Sequence, residues 1–276
     1  MHYSRREQIR SPRRFFRAWI NDLIVSRRSS RRYFLRQLAQ EYRYSSLGLL
    51  WAFAPSIVTA IILIANQRSQ LVTQGVAVPA AFYGIFGLAM GQTLLEAINT
   101  TRRLFLANQE VMRRQGIPLE GMMMAYLYDI AFNLMVRLAV LVVMFLLFSV
   151  RLSLATVALA ALGFAGIALM GAGLGLLMAP LCCLKKDVDR VFSILPWVVF
   201  AVTPTFVPLP KSGLGELIEQ YNPLVWVFDG VRAAAYAANG EITSTIWGLF
   251  AGLAILFVGA MFCRVAQPHV VERMLG

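Results

Sequence analysis

The sequence predicts an all-α polytopic membrane protein: six transmembrane helices, an N-terminal amphipathic interfacial helix, and short re-entrant or interfacial helices between spans five and six. Three observations predict it. Of the 276 residues, 58% are hydrophobic and only 14% are charged, a balance that makes lipid the main solvent. Apolar runs of about 20 residues, the length that crosses a hydrocarbon core of about 30 Å, recur with polar or basic segments between them. Twelve of the 26 basic residues, all arginine, lie before Ser45, where they suit a cytoplasmic anchor on anionic headgroups. A net charge of +12 first suggests nucleic acid, but no basic region is large enough to fold alone, and that role is set aside.

Residues 1–45 form a basic cytoplasmic region. Phe15, Phe16, Trp19, Ile20 and Leu23 make a first interfacial stripe, with a partly disordered basic tail as the alternative reading up to Ser30. From Arg31 the pattern sharpens: Phe34, Leu35, Leu38, Ala39 and Tyr42 recur at helical spacing, and Arg32, Arg36, Gln40 and Arg43 take the other side. The string Ser30-Arg31-Arg32-Tyr33-Phe34-Leu35-Arg36 resembles a twin-arginine export signal. The small-residue site Ala52-Phe53-Ala54 does not follow an apolar run, as cleavage requires, and none is expected.

The transmembrane domain is expected over 46–264, with spans at about 47–66, 78–98, 121–148, 152–181, 191–206 and 244–263. Span one carries Pro55, which can kink it without ending it. Span two ends in a wetter segment with Gln92, Glu96 and Asn99. Arg102, Arg103, Arg113 and Arg114 bring the next loop back to the cytoplasm, and 104–115 can form a short helix before Gly116 and Pro118 stop it. Span three places Asp129, Asn133 and Arg137 four residues apart on one face. Charges inside a span are costly, so these three are candidates for lining a wet path or, alternatively, for pairing helices.

Span four is glycine-rich, and Gly171 and Gly175 have the spacing that lets helix backbones approach closely. Lys185, Lys186 and Arg190, interleaved with Asp187 and Asp189, mark another cytoplasmic turn, expected to be about ten residues long. The Asp-x-Asp pair has no soluble α/β domain around it and is not read as a sugar-transfer site. Span five is interrupted by Pro196 and Pro204. Residues 207–242 mix breakers with moderately apolar runs, including Asp229 and Arg232, and Trp226, Phe228 and Tyr236 supply an aromatic belt. A short cytoplasmic tail, 265–276, follows span six. Cys182, Cys183 and Cys263, with His2 and His269, do not assemble a metal site or a disulfide framework.

In this order and spacing the residues resemble the transmembrane subunits of ABC exporters of the ABC-2 type, particularly the capsular polysaccharide and O-antigen export permeases. The likeness rests on Phe34-Leu35-Arg36 through Tyr42-Arg43, Leu47-Gly48 with Leu50-Trp51-Ala52 and Pro55, Ala107-Asn108-Gln109 with Pro118, Asp187 with Arg190, and Asn222-Pro223-Leu224 followed by Arg232. The chain departs from the pattern at Thr203-Pro204-Thr205-Phe206, where Ser-Pro with a tyrosine two residues later is common.

Six spans with basic loops on one side put both termini in the cytoplasm. The resemblance implies a homodimer in the bacterial inner membrane, with the translocation path at the subunit interface. It implies two separate ABC ATPase subunits on the cytoplasmic face and a lipid-linked polysaccharide as cargo, with a periplasmic export protein as a further partner. The chain has three lysines, none following glycine, so it has no Walker A loop. It is then no enzyme and holds no cofactor, and ATP and Mg bind the partner ATPase. Leu104, Asn108 and Gln109, with Asp187 and Arg190, are the candidates for coupling to that ATPase.

A sugar polymer needs stacking faces and donors along its route, for which Tyr83, Phe86, Tyr126, Tyr128, Phe132 and Asn133 are candidates, with lipid-facing or core aromatics as the alternative reading. Arg36, Arg43, Arg102 and Arg103 would draw an acidic cargo to the cytoplasmic entrance, although the positive-inside rule alone also accounts for them. The cargo therefore leans towards an acidic capsule. The alternatives are an ABC-2 permease for O-antigen, a small lipid or a drug, a membrane enzyme on lipid-linked sugar, and an ion-driven transporter using Asp129 or Glu96.

Overall fold

The computed structural model describes residues 12–43, 53–54, 57–58, 61, 80–113, 118–147, 153–203, 214–236 and 242–275. Every regular element among them is a helix. In chain order these are α1 Pro12–Tyr42, α2 Ala80–Arg102, α3 Leu104–Ala107, α4 Gln109–Arg113, α5 Leu119–Leu147 and α6 Leu154–Leu184. They continue as α7 Lys186–Val202, α8 Leu214–Tyr221, α9 Pro223–Tyr236 and α10 Ile242–Leu275. Among the described residues three helices are long and apolar enough to cross a membrane: α5, α6 and α10 to Arg273. The first expected span lies almost wholly outside the described residues, as does the Pro204-Thr205-Phe206 departure.

The molecule is built around α6. Ser153 caps it, its hydroxyl accepting from the Thr156 amide at 3.0 Å. In its apolar window 61% of the residues are buried within the chain, against 33% in α5 and 28% in α10, so α6 is the most enclosed of the three. Glycine explains how α6 takes a neighbour on either side. A Cβ on Gly171 would stand 2.8 Å from the Leu94 carbonyl oxygen, and one on Gly175 would collide with Thr101 and Ile98, so these two admit α2. Gly166 and Gly173 point instead at α10, whose Gly252 and Gly259 face back: a Cβ on either would lie 2.5 Å from the carbonyl oxygens of Gly166 and Gly173 respectively. Contact through small residues is how helices associate when lipid removes the hydrophobic drive.

One end of the core is aromatic. Phe82 meets Phe145 edge to face at 4.8 Å and Phe86 meets Phe164 likewise at 5.4 Å, joining α2, α5 and α6.

Several helix limits differ from those the sequence suggests, each for a local reason. Residues on both sides of Arg31 belong to one helix, α1, whose inward Ser26 and Ser30 donate to the carbonyls of Asp22 and Ser26 and so sit in an apolar stripe at little cost. The helix expected over 104–115 is two short helices, because the Asn108 side-chain amide takes the Leu104 carbonyl at 2.7 Å and ends α3. The turn before span five contracts to the extended residue Lys185, which places Asp187 and Asp189 in the first turn of α7, where carboxylates favour a helix N-terminus. Finally, α10 runs beyond residue 263 to Leu275, through Pro268.

Candidate functional site

Among the described residues five polar clusters lie between the helices, and each is held by charge or hydrogen bonding that the burial demands. Nearest the loop between α2 and α5, Asn108 is buried and acts as a hub. Its side-chain oxygen accepts from the Tyr33 hydroxyl of α1 at 2.6 Å, while its amide donates to the Tyr126 hydroxyl of α5 at 2.9 Å as well as to Leu104. Burial pushes the Tyr33 phenol above its ordinary range, which keeps it a donor. One step along the same helices, Phe34 packs against Tyr128 and Phe132. The α3–α4 elbow is thereby fixed to both α1 and α5.

At the end of α2, Arg102 is 1% exposed and pairs with the Asp189 carboxylate of α7, donating also to the Asp189 main-chain oxygen at 3.1 Å. A guanidinium so far from water requires such a partner, and the pair latches α2 to the first turn of α7.

A third cluster lies at the same end of the bundle. Arg264 of α10 pairs with Glu120 at the start of α5 and with Asp22 of α1 at 2.8 Å, and its guanidinium lies 5.2 Å from the Phe15 ring centroid.

Within the apolar depth of the bundle Arg137 of α5 pairs with Glu96 of α2 and donates to the Thr93 hydroxyl at 3.2 Å. Towards the opposite end of α2, Arg232 of α9 lies 4.2 Å from the Tyr83 ring centroid and pairs with Asp229 one turn earlier at 3.1 Å.

These positions redistribute the residues picked out by sequence. Arg36, Arg43 and Arg103 are exposed, Asp187 and Arg190 are exposed at the start of α7, and Gln109 is half-buried. Leu104 and Asn108 face inward, leaving Arg103, Ala107 and Glu110 as the outward face of the elbow. Phe86 belongs to the aromatic core and Tyr83 lies under Arg232. Asp129 and Asn133 are partly buried on the face of α5 that carries Arg137. The structure thus brings Tyr126 to Asn108 and Phe132 to Phe34, and it separates both from Tyr83 and Phe86. Sequence reading missed Tyr33, Asp22, Glu120 and Arg264. The available signal was the charge ledger, since each arginine near an apolar run needs a carboxylate.

Residues 31–236, well over half of the chain, match the family model described as ABC-2 type transporter. No curated protein matches the sequence.

Proposed function

This chain belongs to the ABC-2 type transporter family, and on that premise we propose that it exports a lipid-linked polysaccharide, an acidic capsule polymer in preference to O-antigen. Membership makes it the multi-pass membrane component of an ABC transporter that works with an ABC ATPase. In our reading two copies of the chain and two ATPase subunits form the transporter in the bacterial inner membrane, with six spans per copy, both termini cytoplasmic, and ATP and Mg held by the ATPase. A periplasmic export protein would receive the product.

The observation that carries the cargo assignment is the set of exposed arginines, Arg36 and Arg43 towards the C-terminal end of α1 and Arg103 at the elbow. Arginine grips phosphate and carboxylate with two parallel donors, the groups an acidic glycolipid offers. The geometry of the elbow supports a coupling role for it. An ATPase pressing on Arg103, Ala107 and Glu110 acts on a lever whose inner face, Leu104 and Asn108, is tied to α1 and α5. The Arg102–Asp189 pair passes the same displacement to α7. The outer face of α7 carries exposed Ile194, Trp197 and Val198, an apolar surface that a second copy would cover.

The test is to delete the gene and locate the long-chain polysaccharide by fractionation and a surface glycan stain. Polymer made but trapped on the cytoplasmic side supports the assignment. Unchanged surface glycan and precursors reject it in favour of a small lipid or drug as cargo.

A further inference from the structure

The five polar clusters do not reach a large concavity elsewhere in the described residues. It is a groove of about 600 Å³ beneath α1, between α5 and α10, lined by apolar residues throughout. Trp19 and Leu23 of α1 form its roof, Met123 and Leu127 of α5 one wall, and Leu176 of α6 its floor. The second wall is α10 from Phe250 to Ala260, which lies inside the apolar span of that helix. A hollow at that depth is solvated by hydrocarbon, because water finds no partners there.

The roof continues onto the surface. Phe16, Ile20 and Ile24, at a spacing of four, are all exposed along α1, and Phe16 stacks on exposed Phe257 at 6.0 Å. Exposed Arg17, Arg27 and Arg28 flank this stripe. Arg264, close by, is already engaged by Glu120 and Asp22, so recognition of an anion at the mouth falls to the α1 arginines. An apolar slot at hydrocarbon depth below a helix carrying surplus positive charge is complementary to one kind of molecule.

We infer that the groove beneath α1 holds an acyl chain of an anionic phospholipid, whose headgroup is met by Arg27 and Arg28, one turn along α1 from Leu23. The lipid completes the seat of α1, which otherwise bridges α5 and α10 over an empty volume. Because α1 also carries Tyr33, which holds Asn108, lipid occupancy regulates how firmly the elbow is braced. The inference rests on membrane embedding alone and not on the identity of the cargo.

The purified transporter is placed in nanodiscs containing phosphatidylglycerol with a photoactivatable group in its acyl chain, and the crosslinks are mapped by mass spectrometry. The expected result is labelling concentrated on peptides bearing Met123, Leu127 and 250–260, several-fold stronger than with phosphatidylcholine carrying the same chain. A254W, which fills the groove from an exposed position on α10, is expected to lower that labelling several-fold. Even labelling of all lipid-facing helices, equal labelling by the two lipids, or protein-to-protein crosslinks showing a second copy seated in the groove would each overturn the inference. Should A254W fail to fold, the headgroup comparison on the unaltered chain still decides.

Discussion

The thiol of Cys263 on α10 donates to the main-chain oxygen of Leu176 on α6 at 3.0 Å, four residues before Pro180. The two facts are one. Proline has no N–H, so the carbonyl four residues earlier loses its helical donor, and a buried carbonyl without a partner is costly. A neighbouring helix supplies the donor. Cys263→Ala is expected to destabilise the protein by about 1–3 kcal/mol, the cost of orphaning a buried acceptor, whereas Cys263→Ser keeps the bond and loses little. Thermal unfolding of the purified variants in detergent checks this; equal losses from Ala and Ser would remove the bond from the account.

The Arg137–Glu96 pair predicts strong non-additivity. Removing either charge alone, by Arg137→Gln or Glu96→Gln, leaves its partner uncompensated inside the bundle and should cost about 3–5 kcal/mol. The double variant should be more stable than either single one. A double-mutant cycle on unfolding midpoints and on yield of the folded transporter measures the coupling, and simple additivity would show that the two charges do not depend on each other.

Glycines at the helix contacts differ in what surrounds them. A side chain at Gly173 would meet the backbone of Ile255 and Leu256, which cannot yield, while one at Gly248 would meet only the Val227 side chain at 3.2 Å. Gly173→Ala should therefore cost at least the roughly 1–3 kcal/mol of overpacking, and Gly248→Ala much less. Size-exclusion profiles after a heat step rank the two directly.

At the elbow, Tyr33→Phe removes one hydrogen bond and should cost about 1 kcal/mol, mostly by loosening α1. Asn108→Ala removes the whole hub and should also free α5. Hydrogen exchange separates these outcomes: faster exchange confined to α1 for the first, extending to the start of α5 for the second. If ATPase activity is then uncoupled from transport by Asn108→Ala and not by Tyr33→Phe, the elbow is the coupling element.

The latch between Arg102 and Asp189 makes a prediction of a different kind. Asp189→Asn retains the acceptor and removes the charge, so α7 should remain folded but detach more readily from α2. A double-mutant cycle of Arg102→Gln and Asp189→Asn, read on transport, is expected to show strong coupling; additive losses would show that α2 and α7 do not act through this pair.

Much of this protein was determined by its sequence alone. Composition and apolar runs set the all-helical membrane class, since only helices satisfy their own backbone in lipid without closing a barrel. The spacing of Gly171 and Gly175 marked α6 as a contact helix. Tertiary structure decided the pairings. That Arg137 answers Glu96, Arg102 answers Asp189, and Arg264 answers both Glu120 and Asp22 depends on which helix faces which, and the second partner in each case lies 41 to 242 residues away along the chain. The same holds for Gly252 and Gly259, whose role exists only opposite Gly166 and Gly173. A helix's own period tells which residues share a face. What that face meets is fixed by the burial of charge and backbone against other helices, and that information is not local.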